Sequence, residues 1–262
     1  MLWSKTRPMS KLDDKFFSVD SLVGGRVKLF QPKSGYRVSI DSVLLSASVP
    51  ASVGDRVLDL GSGVGAAALC LARRVGGCEI IGIEIQSDLI EFAQRNIIEN
   101  KFNDRLKFFL GDIAKPLESI RNNSFDHVMA NPPFFKIGEV VNSPYLSKNI
   151  SKIENGVNIS SWVDLGIRKL KRNGTITFIF RNDRLNEILQ AFGRKIGNIS
   201  IFPLVSKKGG QAKRVIVHGR KGGRIQVTKK TGIILHNKMV NLERKRRKFY
   251  DMGSNYFYNF LT

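Results

Sequence analysis

The chain has 262 residues, 42% hydrophobic and 25% charged, which suffices for one sizeable core and fits a single α/β domain with additions better than two independent domains. No apolar run approaches a membrane span, the first twenty residues lack the core of a secretion signal, and Cys70 and Cys78 suggest neither a disulfide framework nor a metal site. A soluble protein of the reducing cytoplasm is therefore expected. A formal net charge of +21, with fifteen basic and only two acidic side chains after residue 205, exceeds what solubility requires and predicts a polyanionic partner, the alternative being a solvated basic tail.

Residues 1–50 read as a lead-in. Val23 to Leu29 and Tyr36 to Val38, separated by Pro32 and Ser34-Gly35, predict a small hairpin. Ile40-Asp41-Ser42-Val43-Leu44-Leu45-Ser46-Ala47 then predicts a helix that Asp41 can cap; for Asp41 a capping role and a ligand role stand equal.

The organising stretch is Val57-Leu58-Asp59-Leu60-Gly61-Ser62-Gly63-Val64-Gly65, an apolar strand that breaks into alternating glycines before an alanine-rich helix over Ala66 to Val75. Gly61, Gly63 and Gly65 permit a tight turn and close approach of a ligand to backbone, with free N–H groups at the helix mouth. The spacing is G-x-G-x-G, not the dinucleotide G-x-G-x-x-G, and Asp59 lies two residues before the first glycine. An anion is disfavoured beside that acid and a cation is favoured. S-adenosyl-L-methionine, with a sulfonium and an ammonium group, is the expected cofactor.

Glu79 to Glu84 predicts the next strand, and Glu84, nineteen residues past Gly65, is placed to accept from both hydroxyls of a ribose. A helix from Ser87, as N-cap, to Asn100 follows, with Leu89, Ile90, Ala93 and Ile97 on one face. Leu106 to Leu110 predicts a third strand ending at Gly111-Asp112. Asp112 suits an adenine amino group, or is a plain loop aspartate.

Phe125 to Ala130 predicts strand four, followed directly by Asn131-Pro132-Pro133-Phe134. The prolines stiffen the turn, the Asn131 side chain and the Pro132 carbonyl can accept both hydrogens of a planar amine, and Phe134 can stack on its ring. Such acceptors favour a tetrahedral nitrogen in the transition state. No histidine, cysteine or lysine is needed, because a sulfonium methyl is already activated and the task is alignment.

Residues 135–159 read as a polar loop of lid or substrate-binding length. A helix over Ser160 to Lys171 stops at Asn173-Gly174. Thr175 to Phe180, Asn198 to Val205 and Arg214 to His218 predict further strands, Arg184 to Phe192 a helix and Gln226 to Leu235 an edge segment. Lys207, Lys208, Lys213 and Arg214, with Lys221 and Arg224 beyond them, flank the late strands and are candidates to meet RNA. Arg244 to Lys248 lies in a basic, aromatic tail over 237–262.

With these motifs in order, the chain resembles class I, Rossmann-like S-adenosylmethionine-dependent methyltransferases acting on amino groups. More narrowly, it looks like the bacterial tRNA1(Val) adenine-37 N6-methyltransferase family and its relatives. The resemblance rests on Gly24-Gly25-Arg26, Ile40 to Leu45, Asp59 to Gly65, His127 to Phe134, Leu170 to Gly174 and Lys221 to Arg224. It implies a methyltransferase domain over 51–236 with a seven-stranded, mostly parallel sheet, its last strand antiparallel, and helices on both faces. It further implies that Glu84 binds the cofactor ribose, Asp112 its adenine, and Asp59 with the glycine turn its methionine end, with Asp41 near the amino acid part. The family usually carries tyrosine at Phe134; phenylalanine there is common in ribosomal RNA guanine-N2 methyltransferases. The expected partner is RNA, tRNA first, and the expected state a monomer. Guanine-N2 methylation of ribosomal RNA, protein glutamine methylation and a non-catalytic RNA-binding module are the competing readings.

Overall fold

The computed structural model describes residues 16–115, 118–134 and 157–235. The polar loop expected over 135–159, except its last three residues, and the tail after 236 therefore lie outside the described residues.

The chain opens with an antiparallel hairpin, β1 (Phe17–Leu22) and β2 (Val27–Pro32), in which Leu22 faces Val27. This corrects the expected hairpin. The turn is Val23-Gly24-Gly25-Arg26, with φ positive at its first three residues, so the Gly-Gly pair reverses the chain and Pro32 merely ends β2. Helix α1 (Ile40–Ser48) follows, and its cap is Ser39, whose hydroxyl accepts from the Asp41 N–H at 3.2 Å. Asp41 sits in the first turn instead, 7% exposed.

The main sheet is built from β3 (Arg56–Leu60), β4 (Glu79–Glu84), β5 (Leu106–Leu110), β6 (Phe125–Ala130), β7 (Leu170–Arg181), β8 (Ile196–Val205) and β9 (Ala212–Lys221). The short β10 (Val227–Lys229) and β11 (Ile233–Ile234) are added against β8. Across the sheet the order is β5-β4-β3-β6-β7-β9-β8, parallel throughout except β9, which runs against both neighbours. The seven expected strands and the antiparallel last one are present, and the expected edge segment resolves into β10 and β11.

Helices α2 (Ala66–Arg74) and α3 (Ser87–Asn100), with α1, enclose one core, which holds Val57, Met129, Ile179 and Ile216. Helices α4 (Ile159–Lys169) and α5 (Leu185–Phe192) serve the other, with Leu58, Leu60, Val128 and Phe178. Alternate residues of each central strand thus enter opposite cores, which is why these strands read as unbroken apolar runs.

Two boundaries differ from expectation. Ser87 is the first helical residue of α3, preceded by Gln86, which makes no side-chain cap. Helix α4 ends at Lys169, and Leu170 already pairs with Phe125. Asn173, at φ +62°, makes an irregularity within β7 instead of stopping the helix, because the backbone is recruited by β6 before it reaches Asn173-Gly174.

The hairpin is pinned by asparagines. Asn96 accepts from the Phe30 N–H at 2.7 Å and donates to its carbonyl at 2.9 Å, and one turn on Asn100 does the same for Lys28 at 2.9 and 2.7 Å. Two amides at i and i+4 thereby satisfy the free edge of β2 as a neighbouring strand would. Asn96 also donates to the Val64 carbonyl, tying the hairpin to the glycine turn.

Candidate active site

Because β3, β4, β5, β6 and β7 are parallel, their carboxyl ends lie on one edge, where the glycine turn, Glu84, Gly111-Asp112 and Asn131 all emerge. The chain order turns outward in both directions between β3 and β6. That topological switch point opens a crevice beyond the strand ends. The glycine turn and Asn131 stand on either side of it, since Leu60 is paired with Ala130.

In the turn, Gly61 and Gly63 have φ of +66° and +56°, and a Cβ on either would collide with an aromatic side chain, Trp162 of α4 at 2.6 Å and Tyr36 at 2.4 Å. The glycines therefore do two things, tracing a left-handed turn and admitting rings against bare backbone. Gly65, at φ +83°, is the N-cap of α2 and offers no side chain to that helix. Asp59 lies on the strand before it, where the Ala68 backbone N–H in the first turn of α2 favours its carboxylate.

Asp59 is 2% exposed, and its Oδ2 has no hydrogen-bond partner. Burial, and then the charge of Glu84, push its carboxyl up to about 8. Glu84, 6% exposed, accepts from the Gly63 N–H and the Gln86 N–H, both at 2.9 Å. Burial raises its carboxyl also, against the opposing effect of those amides. Glu84 thus fastens the end of β4 to the glycine turn and keeps lone pairs for further donors. Tyr36 lies near both acids, and burial with their charges raises its phenol.

Asp112 accepts from the Ala114 N–H at 2.9 Å, with Lys115 at 3.9 Å, so it shapes its own loop. Close by, Ile85 and Leu110 are exposed at 53% and 61%, large apolar side chains left uncovered at the strand ends where Glu84 and Asp112 lie.

At the end of β6, the Asn131 side-chain oxygen is buried and has no hydrogen-bond partner among the described residues. Pro132 is buried, Pro133 and Phe134 partly so. The Phe134 ring meets Phe180 edge-on, with centroids 6.1 Å apart and planes at 64°. Its carbonyl accepts from Arg184 Nη1 at 3.0 Å, and Arg184 also pairs with Glu187 at 2.6 Å. Arg214, at the start of β9, holds its guanidinium 4.2 Å from the Phe134 centroid and its Nε 3.4 Å from Asp41 Oδ2.

The basic candidates divide by edge. Since β9 is antiparallel, its beginning lies beside the end of β7, Arg214 opposite Arg181, which places Lys213, Arg214 and the preceding turn with Lys207 and Lys208 at the active-site edge. Lys207, Lys208 and Lys213 are exposed. Lys221 lies at the other end of β9, opposite Ile196, and donates to Asn123 Oδ1 and to the Ile167 and Leu170 carbonyls at 2.7–2.9 Å. Lys221 therefore ties a loop, α4 and β7 together, and it and Arg224 lie at the end of β9 away from Asn131, so of the six basic candidates it is Lys207, Lys208, Lys213 and Arg214 that stand at the active-site edge.

Tyr36, Trp162, Arg184 and the contact of Arg214 with Phe134 were not foreseen from the sequence. Tyr36 and Trp162 carry no local signal that they reach the glycine turn. Arg184 lies in the Arg-Asn-Asp-Arg stretch after β7, whose position at a carboxyl edge was the one available hint.

Among the described residues, four buried polar atoms without partners, Asp59 Oδ2, Ser62 Oγ, Asn131 Oδ1 and Trp162 Nε1, come from the glycine turn and the elements that meet it. Two buried acids beside them are held in conflict with one another. A ligand carrying positive charge, hydroxyls and amide-like donors fits that set; an anion does not.

A sheet of this order with a glycine turn at its switch point is that of a Rossmann-like class I methyltransferase. The chain belongs to a family described as "Methyltransferase domain", whose sequence pattern matches residues 51–194. Among relatives, a protein of Porphyromonas gingivalis named tRNA1(Val) (adenine(37)-N6)-methyltransferase is 33% identical over 62% of this chain and 66% of its own length, just under two thirds. One of the same name from Actinobacillus succinogenes is 27% identical over 73% of this chain and 80% of its own. A solved structure described as a predicted O-methyltransferase of Agrobacterium tumefaciens has the same fold, with a TM-score of 0.65 and 23% identity over 82% of this chain and 96% of that one.

Proposed function

We propose that this chain is an S-adenosyl-L-methionine-dependent methyltransferase that modifies an exocyclic amino group of an RNA base, adenine N6 in tRNA before guanine N2. The observation that carries this reading is the buried, unpartnered Asn131 oxygen at the strand end facing the glycine turn, with an aromatic ring three residues on. The names of the relatives support tRNA as the substrate class.

When bound, S-adenosyl-L-methionine supplies an activated methyl group on a sulfonium. Asp59, with its unpartnered oxygen, would meet the positive end of the cofactor, and Glu84 the ribose hydroxyls with the lone pairs that Gly63 and Gln86 leave free. Ile85 and Leu110 offer apolar surface to its adenine, beside Asp112. On the substrate side, Asn131 Oδ1 and the Pro132 carbonyl would accept the two amine hydrogens, drawing the nitrogen toward tetrahedral geometry with its lone pair aimed at the methyl carbon. Methylation, in which the sulfonium C–S bond would break as the N–C bond forms, would leave positive charge on the nitrogen, and the same oxygens would stabilise it. The surplus proton then leaves to solvent. Arg184, by holding the Phe134 carbonyl, fixes the turn that presents these acceptors.

The deciding experiment is nucleoside mass spectrometry of unmodified tRNA incubated with the protein and cofactor, where N6-methyladenosine is expected. N2-methylguanosine instead would select the other base, and no methylated nucleoside in tRNA or ribosomal RNA would overturn the reading.

The basic surface at the active-site edge is proposed to hold the RNA backbone. If about four phosphates are met, log affinity should fall with log salt at a slope of roughly −3, at about −0.7 per phosphate for single strands. Reversing Lys207, Lys208 and Lys213 to glutamate should flatten that slope to near −1 and leave cofactor affinity unchanged. Identical slopes for both proteins would place the RNA elsewhere.

A further inference from the structure

Arg214 occupies a face of the Phe134 ring, where a base could stack. A guanidinium carbon 4.2 Å from the ring centroid is in direct cation–π contact. A base stacked on that face would lie at a similar separation, so there base and guanidinium exclude one another. The ring cannot turn away readily, since Phe180 meets it edge-on and Arg184 holds its carbonyl.

Arg214 is the partner that can give way. Its side chain is 31% exposed, and its contact with Asp41, at 3.4 Å, is long for a charge-assisted hydrogen bond, which normally closes to about 2.8 Å. A guanidinium released from the ring stays on the edge that carries Lys207, Lys208 and Lys213, where its planar fork suits a phosphate.

We propose that Arg214 is a positioning residue for the target nucleotide: it covers the stacking face of Phe134 when no base is bound, yields that face to the incoming base, and then holds that nucleotide's phosphate. This inference rests on the reading of the chain as an RNA-base methyltransferase. Entry of a base that brings no phosphate must displace the guanidinium without offering it a new partner, so the device favours polymer over free nucleoside.

Arg214→Ala should therefore act with opposite signs on two substrates. For RNA, KM should rise about tenfold while kcat changes less than about threefold. For 2-aminopurine riboside, a fluorescent base without phosphate, binding followed by fluorescence quenching should tighten at least threefold. Phe134→Ala should abolish that quenching. Arg214→Lys, which keeps the charge, should restore most of the RNA KM, and Arg214→Gln, which loses the charge and keeps most of the length, should show the alanine pattern and provides the measurement if the alanine variant fails to fold. A structural role predicts weakening with both substrates, a surface role predicts no change for the riboside, and either result overturns the proposal. Absence of RNA methylation by the unaltered protein would instead strike the functional reading, and the riboside comparison would still report whether Arg214 and a base compete for Phe134.

Discussion

Asn131→Ala is expected to depress methyl transfer by about two to three orders of magnitude while changing cofactor affinity far less, the size typical of losing one preorganised acceptor at a developing charge. The expectation follows from the environment of the side chain. Its oxygen is buried without a partner at the end of β6, a desolvated acceptor that a protein tolerates where something else is to fill the role. The β6 backbone, paired on both sides by β3 and β7 up to Ala130, fixes where the amide begins, and the two prolines fix where it can go. Asn131→Asp keeps an acceptor at the same place and should retain more activity than alanine. Single-turnover rates with saturating cofactor, set beside cofactor affinity from calorimetry, separate the two steps. If Asn131→Ala turned over within about fivefold of the unaltered protein, the acceptor at the reacting nitrogen would have to be another group.

Much of this architecture was legible because the parallel sheet simplifies the problem. Strands buried on both faces write themselves as apolar runs, and parallel direction then puts every strand end on a single edge, so Asp59, Glu84, Asp112 and Asn131 could be brought together without knowing a single long-range contact. Illegible were the features that depend on contacts between distant segments. The hairpin is misread from the sequence because Phe17 to Leu22 looks polar in isolation, with only Phe17 and Leu22 buried and Val19 exposed; its partner is specified by Gly24-Gly25 and by Asn96 and Asn100, more than sixty residues away. Lys221 and Arg224 carry the same charge as Lys207 and Lys208 in the sequence, yet the reversal of β9 sends the two pairs to opposite edges. Tyr36 shows the same limit from another side: nothing near it in the chain says that its hydroxyl will lie against Gly63.

Tyr36 and Trp162 also show why the glycine turn is more than a loop of small residues. One ring comes from the segment between the hairpin and α1, the other from α4 on the opposite face of the sheet, and each lies where a Cβ on the turn would stand. The turn is thus held between the two cores, and helix α4 has a direct contact with the glycine turn through Trp162. Dynamics in α4 would be felt at Gly61 without passing through the sheet.

The second large effect concerns Asp59, whose burial should make cofactor affinity depend on pH. In the ligand-free protein its carboxyl is raised to about 8 by burial and by Glu84, so below that pH it is mainly protonated. A cationic cofactor favours the carboxylate, and binding must then expel a proton. Affinity should rise about tenfold per unit from pH 6 to pH 8 and level off above, near a hundredfold in all, which corresponds to about 2.7 kcal/mol. The folding linkage has the opposite sign. A carboxyl with a folded pKa above its unfolded value contributes stability that is fully present below the unfolded value and is lost as pH rises through the folded one, so the ligand-free protein weakens toward pH 8 and the cofactor restores more there than at pH 6. Asp59→Asn removes one of two buried acids that oppose each other. It should raise the melting temperature of the ligand-free protein at pH 8, lower cofactor affinity at that pH by at least tenfold, and flatten the pH dependence of binding. Titration calorimetry in buffers of different ionisation enthalpy would count the proton released by the unaltered protein. A cofactor affinity independent of pH between 6 and 8, with no proton released, would mean that Asp59 does not meet the charge of the cofactor and serves only to cap α2 through Ala68.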